Sequence, residues 1–324
     1  MVTGGAGYIG SHAVKSLRKA KRDVVVYDNL SAGHRAAIGD VPFVEGDIRD
    51  ANTVRAVLKE HAVTDVMHFA ALLSVAESVR DPARYYDQNV RGTLSLLDSM
   101  VAEHVDRFVL SSTCAVYGNP IRTPIDEEQP TAPINAYGDT KLAVERALRH
   151  YDRAYGLRSI SLRYFNAAGA DLDGRLGEDH SPEIHLIPRA IAATLDGPPL
   201  AIFGDDYPTT DGTCERDFVH VSDLADAHLR AMDALREGTE TRVYNLGTGQ
   251  AHSVRDVVRS VERVTGHRVP TEVAARRPGD PAVLFAQANR IAEELNWRPV
   301  HRTLDEIIET AWRWHQSHPS GFGE

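Results

Sequence analysis

Through the first half of the chain, short apolar runs alternate with longer stretches in which apolar positions recur at helical spacing. Val24–Tyr27, Val66–Phe69 and Phe108–Ser111 are too short for helices, and each predicts a buried parallel strand. Ser11–Ala20, Asn52–Glu60 and Tyr86–Glu103, interleaved with them, predict helices; Leu94, Leu97 and Val101 give the last an apolar stripe. Strands and helices in alternation predict an α/β fold built on a doubly wound parallel (Rossmann) sheet, covered on both faces.

The pattern changes after Asn166. Gly, Pro and Asp become frequent in Ala167–Pro188 and Asp196–Cys214, which predicts a loop-rich region. Asp217–Met232 then reads as a short strand feeding a helix, and Val243–Leu246 as a strand returning to the sheet. The expected division is a dinucleotide-binding domain over 1–165, joined by part of 217–248, and a smaller α/β substrate-binding domain over 166–324. No repeat or low-complexity linker separates them, so a shared cleft is expected. One irregularity concerns the first strand. Only Met1–Val2–Thr3 precede the glycines described below, although this strand should be central, so its brevity predicts a cost in stability.

Composition narrows the partners. With 324 residues, 42% apolar and 25% charged, a sizeable core can form. A net charge of −10 without any Lys/Arg run excludes nucleic acid and anionic membranes as partners. Any anionic substrate must then be gripped by a few well-placed arginines. Cys114 and Cys214 give no disulfide framework. The beginning of the sequence shows no secretory pattern, and the longest mostly apolar stretch, Val66–Ala76, is interrupted by His68 and Ser74. That falls short of the roughly 20 residues that span a bilayer, so a soluble cytoplasmic protein is expected. The fifteen histidines show neither HExxH nor another recognisable ligand spacing, and no metal is expected.

Candidate chemistry lies at the strand ends. Gly4, Gly7 and Gly10 form a GxxGxxG turn, which lets a pyrophosphate approach backbone N–H groups at a helix start. Asp28, eighteen residues after Gly10, ends the next strand beside Asn29. A carboxylate there accepts the adenosine ribose hydroxyls and repels a 2′-phosphate, which selects NAD over NADP. Asp47-Ile48 ends a further strand, where it either flanks the adenine or makes a simple turn. Tyr137 and Lys141 stand four apart on a run that continues to Tyr155, so their side chains share one helix face. A free tyrosine has a pKa near ~10; the lysine ammonium and a nicotinamide cation are expected to lower it and suit it to take a sugar-hydroxyl proton. Thr113, at the end of Ser111-Ser112-Thr113, offers a hydroxyl to align the reacting oxygen, or merely caps the next turn.

In this order, the glycine loop, acidic strand end, Ser/Thr strand end and YxxxK pair resemble the extended short-chain dehydrogenase/reductase family. The resemblance covers nearly the whole chain, including Tyr86–Thr93, Asp211–Asp226 and Arg276–Asp280. Leu-Arg-Tyr-Phe-Asn at 162–166 and Ala-Ile-Phe-Gly at 201–204 narrow it to the branch that inverts C4 of UDP-hexoses. It implies Tyr137 as base, Lys141 as its electrostatic and ribose-binding partner, and Thr113 as the substrate-hydroxyl ligand. Against NAD it places Tyr8, Ile9, Asp28, Asn29, Asp47, Ile48, Phe69, Ala70, Ala71, Asn89 and Phe165. For the UDP-sugar it implies Asn166, Leu186, Ala201, Ile202, Phe203, Arg216, Phe218, Arg277 and Asp280, with the two arginines gripping the diphosphate. It also implies a 4-keto sugar that turns about its diphosphate, tightly retained NAD, and a homodimer formed through helices near 90–103 and 140–155.

Two further departures from the family pattern carry consequences. Leu73 stands where a lysine is usual. Leu284 stands where enzymes restricted to UDP-glucose and UDP-galactose carry tyrosine, and its smaller side chain is expected to admit an N-acetyl group. The rival readings are another nucleotide-sugar epimerase, a 4,6-dehydratase, and an NAD-binding regulator without turnover. A dehydratase carries Asp-Glu after the strand-end threonine, where this sequence has Cys114 and Ala115. A regulator has no need of Thr113, Tyr137 and Lys141 together.

Overall fold

The computed structural model describes residues 1–195, 197–277 and 280–323; Asp196, Pro278, Gly279 and Glu324, which fall within segments named above, lie outside them. Seven parallel strands form the main sheet: β1 (Val2–Thr3), β2 (Val26–Asp28), β3 (Phe43–Glu45), β4 (Asp65–His68), β5 (Arg107–Thr113), β6 (Arg158–Tyr164) and, after four strands outside it, β11 (Arg242–Leu246). Their spatial order is β11-β6-β5-β4-β1-β2-β3. Direction of winding reverses between β1 and β4, and a doubly wound sheet opens its ligand crevice at that point, beyond the carboxyl ends of the strands.

β1 has only two residues, yet it is fully buried and central, pairing Val2 with Val26 and Met67. β2 starts two residues later than the apolar run, at Val26, the residue in register with Val2; the Val25 carbonyl still accepts from the Val2 N–H at 2.9 Å. β5, by contrast, exceeds its apolar run. It continues through Ser111-Ser112-Thr113, in register with β6 as far as Tyr164. Those hydroxyls find buried partners: Ser111 pairs with the Tyr164 hydroxyl and Ser112 donates to Glu145 at 2.5 Å. Polar residues can extend a buried strand when they are satisfied in this way.

One face of the sheet packs Val14, Val26, Ile160 and Leu224 beneath the Tyr8–Lys19 and Val221–Arg236 helices. The other packs Leu96, Met100, Phe108 and Leu148 beneath Ala51–Glu60, Gly92–Ala102 and Ala136–Tyr155. The segment read as one helix from Tyr86 begins with a π-helical turn, Tyr86–Arg91, before the α-helix. Asn135 caps the Ala136–Tyr155 helix by accepting from the Gly138 N–H at 2.9 Å, and left-handed Gly156 ends it.

The remaining strands are short: β7 (Asn166–Ala168), β8 (Leu200–Phe203), β9 (Glu215–Arg216), β10 (Phe218–His220), β12 (His252–Ser253), β13 (Thr271–Ala274) and β14 (Val283–Leu284). β7 pairs with β10, β8 with β13, and β9 with both β12 and β14. β8 lies inside a stretch read as loop, because four residues among Gly, Pro and Asp leave little periodicity to detect. A separate core of Ile187, Leu200, Val257 and Ile308 supports this region. A small cluster of Tyr117, Ile125, Leu142, Phe165, Leu284 and Ala286 joins it to the sheet. Among the described residues no helix is long and apolar enough to cross a membrane.

Candidate active site

At the carboxyl end of β1, the glycines take separate duties. Gly4 has φ +71°, and a Cβ there would lie 2.4 Å from the Ala70 nitrogen. At Gly10 a Cβ would meet the Gly4 oxygen at 2.2 Å, so these two glycines allow loop, helix and the 69–71 segment to touch. Gly7 differs: its added Cβ would meet only the Gly4 oxygen, at 3.4 Å. Gly7 also caps the Tyr8–Lys19 helix without a side-chain bond, and no acidic residue occupies the first turn. An open helix N-terminus with unhindered backbone is the donor set that a pyrophosphate requires. Asp28 closes the crevice from β2. Its carboxylate accepts from the N–H groups of Ala6 and Leu30, both at 2.9 Å. Burial raises its pKa, and those N–H donors partly offset the effect. The residues present therefore fit a dinucleotide. Gly10→Ala is expected to release NAD from the purified protein and to cost about 1–3 kcal/mol of stability from overpacking, read as lost cofactor absorbance and a lower Tm.

The other cofactor candidates fall into two groups. Asn29 and Asp47 come together across the ends of β2 and β3, where the Asp47 carboxylate binds the Asn29 side chain and Arg49. Ile9, Phe69, Ala70 and Ala71 are half-buried beside the crevice, Phe69 resting on His228 with ring centres 4.6 Å apart. The rest act from behind. The Ile48 side chain enters the core, and Phe165 belongs to the cluster joining the two regions. The Asn89 amide is spent on both backbone groups of Leu72, at 2.8 and 3.0 Å, and on Thr140. Tyr8 donates to the Gly169 carbonyl at 2.5 Å, which ties the helix start to the second region. Leu73 is exposed, next to Ser74, which caps a short helix.

Thr113 ends β5, where its Oγ1 accepts from the Ala115 N–H at 3.1 Å, and its hydroxyl lies close enough to Tyr137 of the neighbouring helix to favour the phenolate. Tyr137, Lys141 and Glu145 lie at i, i+4 and i+8 on one face of that helix, pointing at β5 and β6. The electrostatics depart from the expectation. Burial pushes the Tyr137 phenol well above its ordinary pKa, and Thr113 is the group that lowers it. Lys141, itself buried, gives its ammonium to the Ser111 carbonyl at 2.9 Å. Burial pushes this lysine down to about 8, with Glu145 opposing. The helix spacing was legible, but a lysine four residues away need not aim its charge at the tyrosine.

Residues implied for a nucleotide sugar gather on the second region. Asn166 in β7 pairs with Phe218 in β10. Arg216 extends from β9 to the Asp280 carboxylate, and the Arg277 guanidinium lies 3.7 Å from the centre of the Phe203 ring. Ala201 and Phe203 are half-buried on one face of β8, whereas Ile202 alternates into the core, where Phe218 also lies. Leu186 opens the Leu186–Thr194 helix, and Leu284 is buried beside Phe165. Arg189, one turn along that helix, acts electrostatically on Arg277 and was missed in the sequence for want of any motif around it. Tyr164, bonded to Ser111 and acting on Tyr137, was also missed, although it sits within Leu-Arg-Tyr-Phe-Asn. Burial lowers the pKa of Arg277, with Arg189 adding to the effect and Asp280 opposing it, so an anion that arrives here meets concentrated positive charge. Arg277→Ala is expected to raise KM for a UDP-sugar on the order of 10- to 100-fold with kcat little changed, the mark of an anchor. Steady-state kinetics decide it.

Known proteins share this arrangement. The sequence pattern of the NAD dependent epimerase/dehydratase family matches residues 1–247. The chain is 49% identical to UDP-glucose 4-epimerase of Halalkalibacterium halodurans over 323 residues, 99% of this chain and 97% of that one. Its structure resembles UDP-glucose 4-epimerase from Brucella ovis in complex with NAD, with TM-score 0.93, 50% identity and 96% of each chain covered. It also resembles UDP-glucose-4-epimerase from Stenotrophomonas maltophila with bound NAD and formylated UDP-arabinopyranose, with TM-score 0.94, 40% identity and 98% of each chain covered. Matched over most of its length by the family pattern and nearly half identical to a full-length member, this chain belongs to the NAD-dependent epimerase/dehydratase family.

Proposed function

We propose that the chain interconverts UDP-glucose and UDP-galactose by inverting C4, through a 4-keto sugar, with NAD held in the cradle between β1 and β4. The observation that carries this reading is the hydroxyl pair Thr113–Tyr137 at the carboxyl edge of the sheet, beside that cradle. NAD bound there supplies reversible hydride acceptance, and the charge of its oxidised ring favours the phenolate. The chain's own residues do the rest. Thr113 orients the sugar hydroxyl, Tyr137 takes and returns its proton, and Lys141 keeps a cation against the floor of the site. Arg216 and Arg277 hold the diphosphate while the sugar turns over between them and Tyr137. Purified protein incubated with UDP-galactose should yield UDP-glucose by NMR. A 4-keto-6-deoxy product would favour dehydration instead, and bound NAD with no product a regulator.

Two finer points belong to the same reading. Leu284 is smaller than tyrosine and lies beside Phe165 and Cys114. Measurable UDP-N-acetylgalactosamine turnover is therefore expected; if only the non-acetylated pair reacts in the same NMR assay, the argument from pocket size fails. Pairing of two copies through the Gly92–Ala102 and Ala136–Tyr155 helices follows from the family resemblance, and light scattering gives the mass that tests it.

A further inference from the structure

Beside the cradle, and outside the chemistry described above, four ligand-bearing side chains converge from one short loop. Glu178, His180, Glu183 and His185 bring one oxygen or nitrogen each to within 4.8 Å of one another. The loop leads directly into the helix that opens with Leu186, and the His180 ring meets the edge of Tyr8 at 6.4 Å.

Hydrogen bonding does not explain this cluster. Glu178 is 5% exposed, and its Oε1 has no hydrogen-bond partner; neither has Nδ1 of His180 or of His185. All three atoms nevertheless face one another, Nδ1 of His185 at 2.6 Å and Nδ1 of His180 at 3.3 Å from Glu178 Oε1. Short contacts of this kind between a buried carboxylate and ring nitrogens are held together by a positive charge, either a proton on an imidazole or a metal ion among them.

The distances suit a metal ion. A tetrahedral ion with bonds of about 2.0–2.1 Å holds its ligand atoms about 3.3 Å apart. Three of the four nitrogen–oxygen separations are 3.3, 3.3 and 3.8 Å. Only the 2.6 Å contact is short, and a small rotation of the His185 ring opens it. Glu183 is already held, because its Oε1 accepts the N–H groups of Ile184 and His185, both at 2.7 Å. Two imidazoles with two carboxylates favour zinc over magnesium or calcium, which take oxygen sets of higher coordination number.

We propose that Glu178, His180, Glu183 and His185 bind one Zn²⁺ per chain, as a closed structural site that fixes the loop preceding the Leu186 helix. A proton on His185 is the competitor. Metal binding therefore releases a proton and strengthens as pH rises.

The test uses full-length, NAD-loaded protein stripped with a chelator and titrated with Co²⁺. Intense visible bands of four-coordinate cobalt at one equivalent, bleached by Zn²⁺ and not by millimolar Mg²⁺, support the site, as does a Tm that rises with added Zn²⁺. Glu178→Gln and His180→Ala should each weaken Co²⁺ binding on the order of 100-fold or more. Weak octahedral spectra from the unaltered protein would overturn the proposal without relying on either variant. Unchanged affinity in both variants would overturn it as well. Because the spectra need no substrate, failure of this site and failure of the proposed epimerisation are read separately.

Discussion

Tyr137→Phe is expected to cut UDP-galactose turnover by on the order of 10²–10⁴-fold, the usual share of a general acid–base group, while NAD stays bound. The cradle is made by Gly4, Gly7, Gly10 and Asp28, none of which touches the lost hydroxyl, so cofactor retention should not change. What disappears is the phenol oxygen that lies beside Thr113. Thr113 then still orients a substrate hydroxyl, but no base takes the proton of that hydroxyl. The loss should fall on kcat, since Arg216 and Arg277 remain. Stopped-flow or NMR rates, set beside the absorbance of cofactor released on denaturation, measure both halves. Turnover within tenfold of the unaltered protein would remove Tyr137 from its role.

The largest effect on stability is expected behind the site. Glu145 takes three bonds from the Arg163 guanidinium, at 2.5, 2.9 and 3.2 Å, and one from Ser112. Both charged residues are about 2% exposed. Arg163 also reaches the Tyr117 hydroxyl at 2.9 Å, and Tyr117 donates to Asn245 in β11. The network thus ties the Ala136–Tyr155 helix to β5, β6 and β11. Removing one partner leaves a buried charge uncompensated, so Glu145→Ala should destabilise the protein by about 3–5 kcal/mol. The paired replacement Glu145→Leu with Arg163→Met should recover much of this, because an apolar pair leaves no charge stranded. Tm values of the single and double variants test it; equal losses in both would mean that packing, not charge, is what the pair supplies.

Much of the fold could be read in advance because its signals are local. Apolar runs located β4, and helical spacing located Asn52–Glu60 and the run to Tyr155, each close to its observed bounds. The misreadings share a cause, which is that the deciding partner lies far along the chain. β5 outruns its apolar stretch because Glu145 and Tyr164 satisfy its hydroxyls. Lys141 turns to a strand carbonyl rather than to the phenol on its own helix. Candidate residues that sit in a motif, the glycines, Asp28, Thr113 and Tyr137, could be singled out in advance, and the fold brings them to one edge of the sheet. Arg189 and the Glu178–His185 loop were not, since their grouping arises from loop geometry and matches no familiar spacing.

The two residues after Thr113 have a consequence for how the reaction can go astray. Cys114 is buried and its thiol is pushed up to about 12 by that burial, and the Ala115 side chain has no ionisable group. A ketone formed against such an inert wall finds no acid to expel its 6-hydroxyl, so its one wasteful exit is escape to bulk water. Fidelity then becomes a contest between two lifetimes, that of the oxidised sugar and that of the arginine clamp on its nucleotide tail.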